Sequence, residues 1–248
     1  MTRTRIVLPL ILGLAALPAA QADFVGLNIS AYTWSPDISG SVKTGSDSKI
    51  RLQNDLGYKD DNSTGLSISL EHPVPALPNV RYQTIDMSSS SRTTGSTIQF
   101  NGNSFTGTIN STLDLSHQEI VLYYEMLDNW INIDLGLDLK MFDGEVGVSD
   151  GNNSSRVTID ETIPMLYLSA RVDLPFTGFY VGANLQQLSL GDNSAEDTTL
   201  LIGYESNSGL GIEGGFKTFT LDLNDAGSSN LDSNLEYDGL FLNGYFHF

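Results

Sequence analysis

The segment Asp238-Gly-Leu-Phe-Leu-Asn-Gly-Tyr-Phe-His-Phe248 alternates an apolar set, Leu240, Leu242, Phe246 and Phe248 with Gly244 among them, against a mixed one. In water, a strand so rich in large apolar and aromatic residues invites pairing along its open edge, and a turn or a polar tail normally follows it. As the closing strand of a transmembrane barrel it has its apolar face in lipid and its edge taken up by the first strand. The fold class this implies is all-β, a transmembrane antiparallel up-and-down β-barrel.

The clearest companion is Trp130-Ile-Asn-Ile-Asp-Leu-Gly-Leu-Asp-Leu-Lys-Met141. One face carries Ile131, Ile133, Leu135, Leu137, Leu139 and Met141, and the other Trp130, Asn132, Asp134, Gly136, Asp138 and Lys140. Such an apolar stripe is roughly 35 Å long, more than an ordinary strand needs and enough to cross a bilayer. The same template predicts strands near 24–34, 63–71, 80–88, 112–126, 130–142, 160–172, 178–190, 197–205, 209–221 and 236–248. That makes about ten, an even number; misreading the third, where Val80, Tyr82 and Thr84 compete with Ile85 and Met87, and a neighbour would leave eight or twelve. Long connections at 35–62, 89–111, 143–159 and 222–235 alternate with tight ones at 72–79, 127–129, 173–177 and 206–208, the pattern of outer loops and periplasmic turns, with both termini periplasmic.

Parity makes Val25, Leu27, Ile29, Leu66, Ile68, Leu70, Leu122, Tyr124, Leu166, Leu168, Val181, Leu200, Ile202, Leu210 and Ile212 lipid-facing, and none is charged. Tyr32, Trp34, Trp130, Phe179, Tyr180, Tyr204 and Phe248, near segment ends, are candidates for interfacial girdles.

Residues 1–22 read as a cleaved signal peptide: Arg3 and Arg5, an apolar run from Ile6 to Leu17, and Ala20-Gln21-Ala22 as a small-x-small cleavage site. The barrel then occupies 23–248. The formal charge of -18, from 12 basic and 30 acidic residues, includes Arg3 and Arg5, so removal of the leader gives -20. This excess makes nucleic acid a poor partner. Many acids fall in expected loops, among them Asp37, Asp143, Glu145, Asp150, Glu196, Asp197, Asp222, Asp225 and Asp232. They read as a solvated rim, with divalent cations shared with anionic lipid head groups as the sharper alternative. The chain has no cysteine, so disulfides and thiolate metal sites are excluded.

The start Asp23-Phe-Val-Gly-Leu27 leading to Tyr32-Thr-Trp34, the segment Gly211-Ile-Glu-Gly-Gly-Phe-Lys217 and the terminal Tyr245-Phe-His-Phe248 together resemble the proteobacterial outer-membrane OMP_w_GlyGly family. The resemblance spans residues 23–248 and implies fold and location: the outer membrane of a Gram-negative bacterium, with outer-membrane lipids and lipopolysaccharide as surroundings. It also implies that Gly244, Phe246 and Phe248 are the signal read by the barrel assembly machinery. It implies no activity. Independently of the family, Gly214-Gly215 removes side chains from both faces of a strand, which permits a sharp bend or lets a neighbouring aromatic lie across the backbone. Space in the lumen beside Glu213 is expected at Gly215.

Facing inward by the same parity is a charge network of Arg81, Glu125, Asp134, Asp138, Lys140, Arg171, Glu205, Glu213 and Lys217. In a narrow barrel such charges pair or meet water, giving either a polar plug or a very narrow channel. The enzymatic alternative is an outer-membrane hydrolase acting on lipid or peptide through His117, flanked by Asp114, Ser116 and Glu119; no spacing around it matches a catalytic motif. Asp222-Leu-Asn-Asp-Ala-Gly227 lacks the downstream glutamate of a calcium loop, and Ser88–Ser91 and Gly151-Asn-Asn-Ser-Ser155 read as solvated loops. The sequence expectation is a monomeric, non-enzymatic barrel with no metal and no cofactor.

Overall fold

The computed structural model describes residues 25–74, 76–226 and 229–248; the expected signal peptide lies outside them. The strands are β1 (Gly26–Thr44), the short β2 (Ile50–Arg51), β3 (Ser63–Glu71), β4 (Asn79–Asp86), β5 (Ser88–Phe100), β6 (Asn103–Asp114) and β7 (His117–Asp128). They continue as β8 (Ile131–Ser149), β9 (Ser154–Asp173), β10 (Phe179–Leu190), β11 (Asn193–Glu205), β12 (Leu210–Ala226) and β13 (Leu231–His247). Ten of them close an antiparallel ring in the order β1-β3-β4-β7-β8-β9-β10-β11-β12-β13 and back to β1. The closing seam runs from Asn28↔His247 to Thr44↔Leu231, so the apolar last strand has its edge paired along its whole length.

One end of the ring, the proximal end, has the turns that join β3 to β4, β7 to β8, β9 to β10 and β11 to β12. Around it runs an outward apolar band, with Leu66, Leu137, Leu166, Leu200 and Ile212 all more than half exposed. That band makes the fold a transmembrane β-barrel: lipid is the only surrounding in which a continuous ring of exposed leucine and isoleucine is stable. Trp130, Phe179, Tyr204 and Phe248 project outward at the proximal rim, with the rings of Phe179 and Tyr204 5.0 Å apart. Tyr32, Trp34 and Tyr180, which share the girdle expectation, instead point into the barrel, because each lies on the inward parity of its strand.

At the distal end the structure corrects the sequence reading. The stretches expected as loops at 89–111, 143–159 and 222–235 are largely strand, as is 35–44 of the stretch 35–62, and β1, β8, β9, β12 and β13 run far past the apolar band. On β8 the eight residues from Phe142 to Ser149 extend the wall by roughly 27 Å along the strand. Ser88–Ser91 begin β5, and Ser154 and Ser155 begin β9. Of the acids expected in loops, Asp37, Asp143, Glu145, Glu196, Asp197, Asp222, Asp225 and Asp232 belong to strands.

The distal tower is closed by parts outside the ring. Because β7 begins only at His117, opposite Phe142, the distal half of β8 would have a bare edge; β6 pairs with it from Asn110↔Ser149 to Asp114↔Glu145. Between β5 and β1 a π-helical turn, Leu52–Leu56, drops Leu52 and Leu56 into the interior, and Ser91 Oγ donates to the Leu56 carbonyl at 2.7 Å. Inside, Trp34, Ile38, Val42, Phe100, Phe105, Ile109, Leu113, Phe142, Val146, Ile159, Phe219, Leu221 and Tyr237 form one packed core.

The wall therefore inverts its polarity along single strands. On β9 the inward residues run Val157, Ile159, Ile163, Met165 and then Tyr167, Ser169, Arg171, while the outward ones run Arg156, Thr158, Asp160 and then Leu166, Leu168, Ala170. β1 does the same with Trp34 and Ile38 distal to Asn28, Ser30 and Tyr32. Strand alternation is kept throughout; what changes is which face meets an apolar surrounding.

Candidate functional site

Where the two regimes meet, the lumen is crossed by buried charge. Lys140, on β8 just proximal to Phe142, is fully buried, and its Nζ donates to Glu119 of β7, to Gln186 Oε1 of β10 at 3.3 Å and to Asp197 Oδ2 of β11 at 3.3 Å. Asp138, one step along the same face, has a carboxylate oxygen 3.9 Å from that ammonium. Lys217 of β12 donates to both Asp197 oxygens at 2.6 and 2.7 Å, and its Nζ lies 5.5 Å from the centre of the Trp34 ring. Arg81 of β4 shares a cross-strand row with Val121 and Asp138, and donates to the Tyr167 hydroxyl at 3.3 Å. Glu119 and Asp197 thus stand in ion-pair contact with Lys140 and Lys217, with Asp138 at the edge of the same group. Pairing is what makes these charges tolerable, since an unpaired ion in such surroundings costs several kcal/mol.

The layer is capped from above. His117 Nε2 stands 3.1 Å from Glu119 Oε1, an acceptor, while its Nδ1 is 2.7 Å from the Leu115 carbonyl oxygen. Its ring packs 4.7 Å from Phe142 and 6.2 Å from Phe219, centre to centre. It is buried with both nitrogens engaged. The hydrolase reading required His117 to be reachable at a rim; the structure encloses it between the ion layer and the apolar core.

Below the layer the lumen widens into a polar cavity of about 500 Å³, lined by every strand of the ring. One wall is internally satisfied: Arg171 pairs with Asp173 at 2.8 Å and with Glu205 at 3.3 Å, and its guanidinium stacks 3.6 Å above the Tyr180 ring. The Tyr180 hydroxyl donates to Glu213 at 2.8 Å, Tyr245 to Glu205 at 2.9 Å and Asn243 to Glu213 at 2.8 Å. The other wall carries Glu71, Glu125, Asp128 and Asp134 with no ion pair among the described residues.

Glycines shape this lumen by a repeated device. The rings of Tyr32, Tyr180 and Tyr245 each lie across the glycine facing them on the next strand, Gly65, Gly203 and Gly211, where any Cβ would collide with the ring. The Gly214-Gly215 pair works differently: a Cβ on Gly215 would run into the backbone of Leu200 and Leu201, so this glycine allows β11 and β12 to approach closely. It lines no part of the cavity, which corrects the expectation of open space beside Glu213. Gly214 faces outward with room to spare.

All nine charges named from the sequence stand on the inner face: Asp138, Lys140 and Lys217 within the ion layer, Arg81 bordering it, and Glu125, Asp134, Arg171, Glu205 and Glu213 in the cavity. Glu119, Asp197, Gln186 and Glu71 belong with them. Their signal was available in parity, Glu119 sharing a face with Tyr123 and Glu125, and Asp197 lying opposite in phase to Leu200 and Ile202. At the closing seam, Gly244 and Phe246 project outward, and the Phe246 and Phe248 rings meet edge to face at 4.3 Å. Asp222 accepts from Asn234 and Ser194 across the β12–β13 and β11–β12 pairs and so serves the hairpin, while Gly227 of that stretch lies outside the described residues.

No family model matches the chain and no curated protein resembles it. Among solved structures it is similar to Ail, the attachment invasion locus protein of Yersinia pestis, at 11% identity and a TM-score of 0.33 over 91% of this chain and 100% of that one. It is also similar to the translocator domain of the autotransporter NalP from Neisseria meningitidis (12% identity, TM-score 0.41, 87% and 88% covered). A FadL homologue of Pseudomonas aeruginosa follows (9% identity, TM-score 0.40, 91% and 90% covered). Likeness at this level carries no argument about mechanism.

Proposed function

We propose that the chain is an integral outer-membrane protein of a Gram-negative bacterium, monomeric, neither enzyme nor open channel, whose barrel anchors a β-walled tower in a structural or adhesive role. The observation that carries this is the double closure of the lumen: the ion layer of Glu119, Asp138, Lys140, Asp197 and Lys217, and above it the core around Phe142 and Phe219. A conducting path would have to pass through both. The proximal rim is then periplasmic and the tower extracellular, with lipopolysaccharide around its base. The glycine and aromatic motifs support placement in the OMP_w_GlyGly family, with Gly244, Phe246 and Phe248 as the assembly signal.

Two measurements test this. Single-channel recording on the refolded protein should be silent, and discrete conductance steps would sink the closed-lumen reading. Because the chain has no cysteine, Asn152→Cys in the distal β8–β9 turn and Ala76→Cys in the proximal β3–β4 turn give background-free labels. A membrane-impermeant maleimide on intact cells should mark the first and spare the second; the opposite pattern would invert the orientation.

A further inference from the structure

The parts that close the tower leave one edge unpaired. On the β8 flank of the β8–β9 hairpin, β7 starts only at His117, and β6 takes over the bare distal edge from Asn110↔Ser149 to Asp114↔Glu145. On the β9 flank, β10 reaches only to Gln187↔Leu166, and it then turns back into β11. From Ser154 to Met165, β9 pairs with β8 alone, and no other strand among the described residues meets its free side. That leaves roughly 40 Å of edge along which every second residue directs its N–H and C=O away from the sheet. Pro164, with no N–H to give, lies just past the last β9–β10 pair, where the ladder stops.

A second observation concerns charge. Glu161 lies on the inward parity of β9 between the buried Ile159 and Ile163, yet it stays partly exposed, as an inward residue does beside an open stretch of wall. Asp160, next to it, faces outward, with Asp143 of β8 directly opposite. None of these three carboxylates has an ion pair among the described residues. The cations of this part of the hairpin are engaged elsewhere, Arg156 with Glu145 at 3.1 Å and Lys140 within the ion layer. Acid therefore flanks the free edge on both faces of the sheet. A second copy of the chain is a poor partner for it, because pairing two β9 edges sets these acids against each other in a chain of formal charge -18.

We propose that the free edge of β9 is a docking site for an extended, basic peptide segment of a partner protein, which adds itself to the tower as a strand. This rests on the adhesive reading of the tower and names the class of partner. In such an addition the backbone ladder supplies affinity and alternate side chains supply selection. On the inner side the incoming strand meets the lip of the core at Val157, Ile159 and Ile163, with Glu161 among them. On the outer side it meets Thr158, Asp160 and Thr162. Apolar side chains suit the inner positions, and lysine or arginine suits those beside Asp160 and Glu161. The chain already contains an addition of this form: β6 lies along β8 with Ser111 and Leu113 buried and Asn110 and Thr112 exposed, the alternation a docked peptide reproduces.

The probe is a labelled peptide of about ten residues, a long strand, alternating lysine and valine. It is titrated by fluorescence anisotropy against the full refolded chain in non-ionic detergent. Two further peptides run beside it: the same one methylated on its backbone nitrogens, which keeps the charge and removes the donors of the ladder, and one with glutamate for lysine. Saturable binding of the unmethylated lysine peptide alone is expected, with new hydrogen-exchange protection confined to Thr158–Ile163. Asp160→Asn combined with Glu161→Gln, near-isosteric and relieving the repulsion with Asp143, should weaken it about tenfold. Asp37→Asn with Asp238→Asn, which neutralises a cross-strand acidic pair on the closing seam, should leave it unchanged. Equal binding of the methylated peptide, equal affinity in the Asp160 and Glu161 variant, protection elsewhere on the barrel, or no saturable binding would overturn the proposal. Dimerisation through β9 without peptide would overturn it in favour of a second copy. Binding in detergent does not depend on which side of the membrane the tower faces, so an inverted labelling pattern would remove the adhesive role and leave the site, whereas failed binding would remove the site and leave the orientation.

Discussion

The proximal and distal halves of the barrel are built from the same strands with the same alternation, and they are stabilised in opposite ways. Proximally, leucine and isoleucine face out and polar groups face a cavity; distally, serine, threonine and acids face out and a packed apolar core fills the inside. The hydrogen-bonded ring is indifferent to this, because every strand of a closed barrel satisfies its backbone through its neighbours whatever surrounds it. Polarity is set locally by what the wall touches, so one strand can serve as a lipid-spanning element and then as part of a water-exposed one. The ion layer falls at the crossover, where the polar filling of one half must end against the apolar filling of the other.

The largest effect should come from breaking that boundary. Lys140→Met leaves Glu119, Asp138 and Asp197 short of a cation at a site with no water contact, and should cost about 3–5 kcal/mol in urea unfolding. Lys217→Met should cost less, because its side chain is 15% exposed beside the cavity and water can replace it. Equal losses for the two would mean that the layer is wetter than its burial indicates. Next comes the distal core: Phe105 is fully buried, and Phe105→Ala should cost about 3–5 kcal/mol through lost contacts and a cavity. If that substitution is nearly neutral, the tower is not independently packed.

The sharpest comparison lies on one face of one strand. Leu137 and Asp143 both point outward from β8, the first in the apolar band and the second beyond it, directly opposite Asp160. Leu137→Arg should destabilise by about 2–4 kcal/mol, as expected for arginine near the bilayer midplane. Asp143→Arg should lie within about 0.5 kcal/mol of neutral, because it alters a solvated surface and removes a like-charge pair. Folding into vesicles, followed by urea titration, measures both; similar costs would move the membrane boundary distally past Asp143.

How much of this was legible follows from the same inversion. Ile131 to Met141 announce a spanning strand because so long a stripe of apolar residues on one face needs an equally long apolar surrounding, which lipid supplies, and the terminal strand announces closure. The tower was harder to see because its alternation has the reverse sense, with polar residues out and apolar residues thinly spaced. In β5 it is also broken: a bulge between Thr94 and Ser96 puts Met87 and Ser89 on inward parity before it and Ile98 and Phe100 after it. No single period fits Ser88–Phe100, so the stretch reads as a loop. The ion layer was half legible for a related reason. Asp138 and Lys140 interrupt a regular strand and are conspicuous, whereas Asp197 follows the β10–β11 turn and passes for a loop acid until strand pairing draws it inside.

The smallest predicted effect concerns the tower's distal tip, where hydrogen bonds to a loop hold what packing holds lower down. Asp150 accepts backbone N–H groups from Asn152 and Asn153 at 2.8 Å, closing the β8–β9 turn, and from Thr106 of β6 at 2.9 Å, tying that turn to the hairpin. Those donors favour the charged carboxylate and hold its pKa below the ordinary value. The folded chain therefore binds this proton less readily than the unfolded one, so the tie is complete above about pH 4 and is lost as pH falls through the lower, folded value. Amide resonances of Thr106, Asn152 and Asn153 should shift together on acidification, with a shared midpoint below that of an unpaired aspartate, and Asp150→Asn should abolish the coupled response. Separate midpoints for Thr106 and Asn153 would show that the hairpin and the turn are not held by one carboxylate, and that the tip is ordered by the β6–β8 pairing from Asn110 to Asp114 alone.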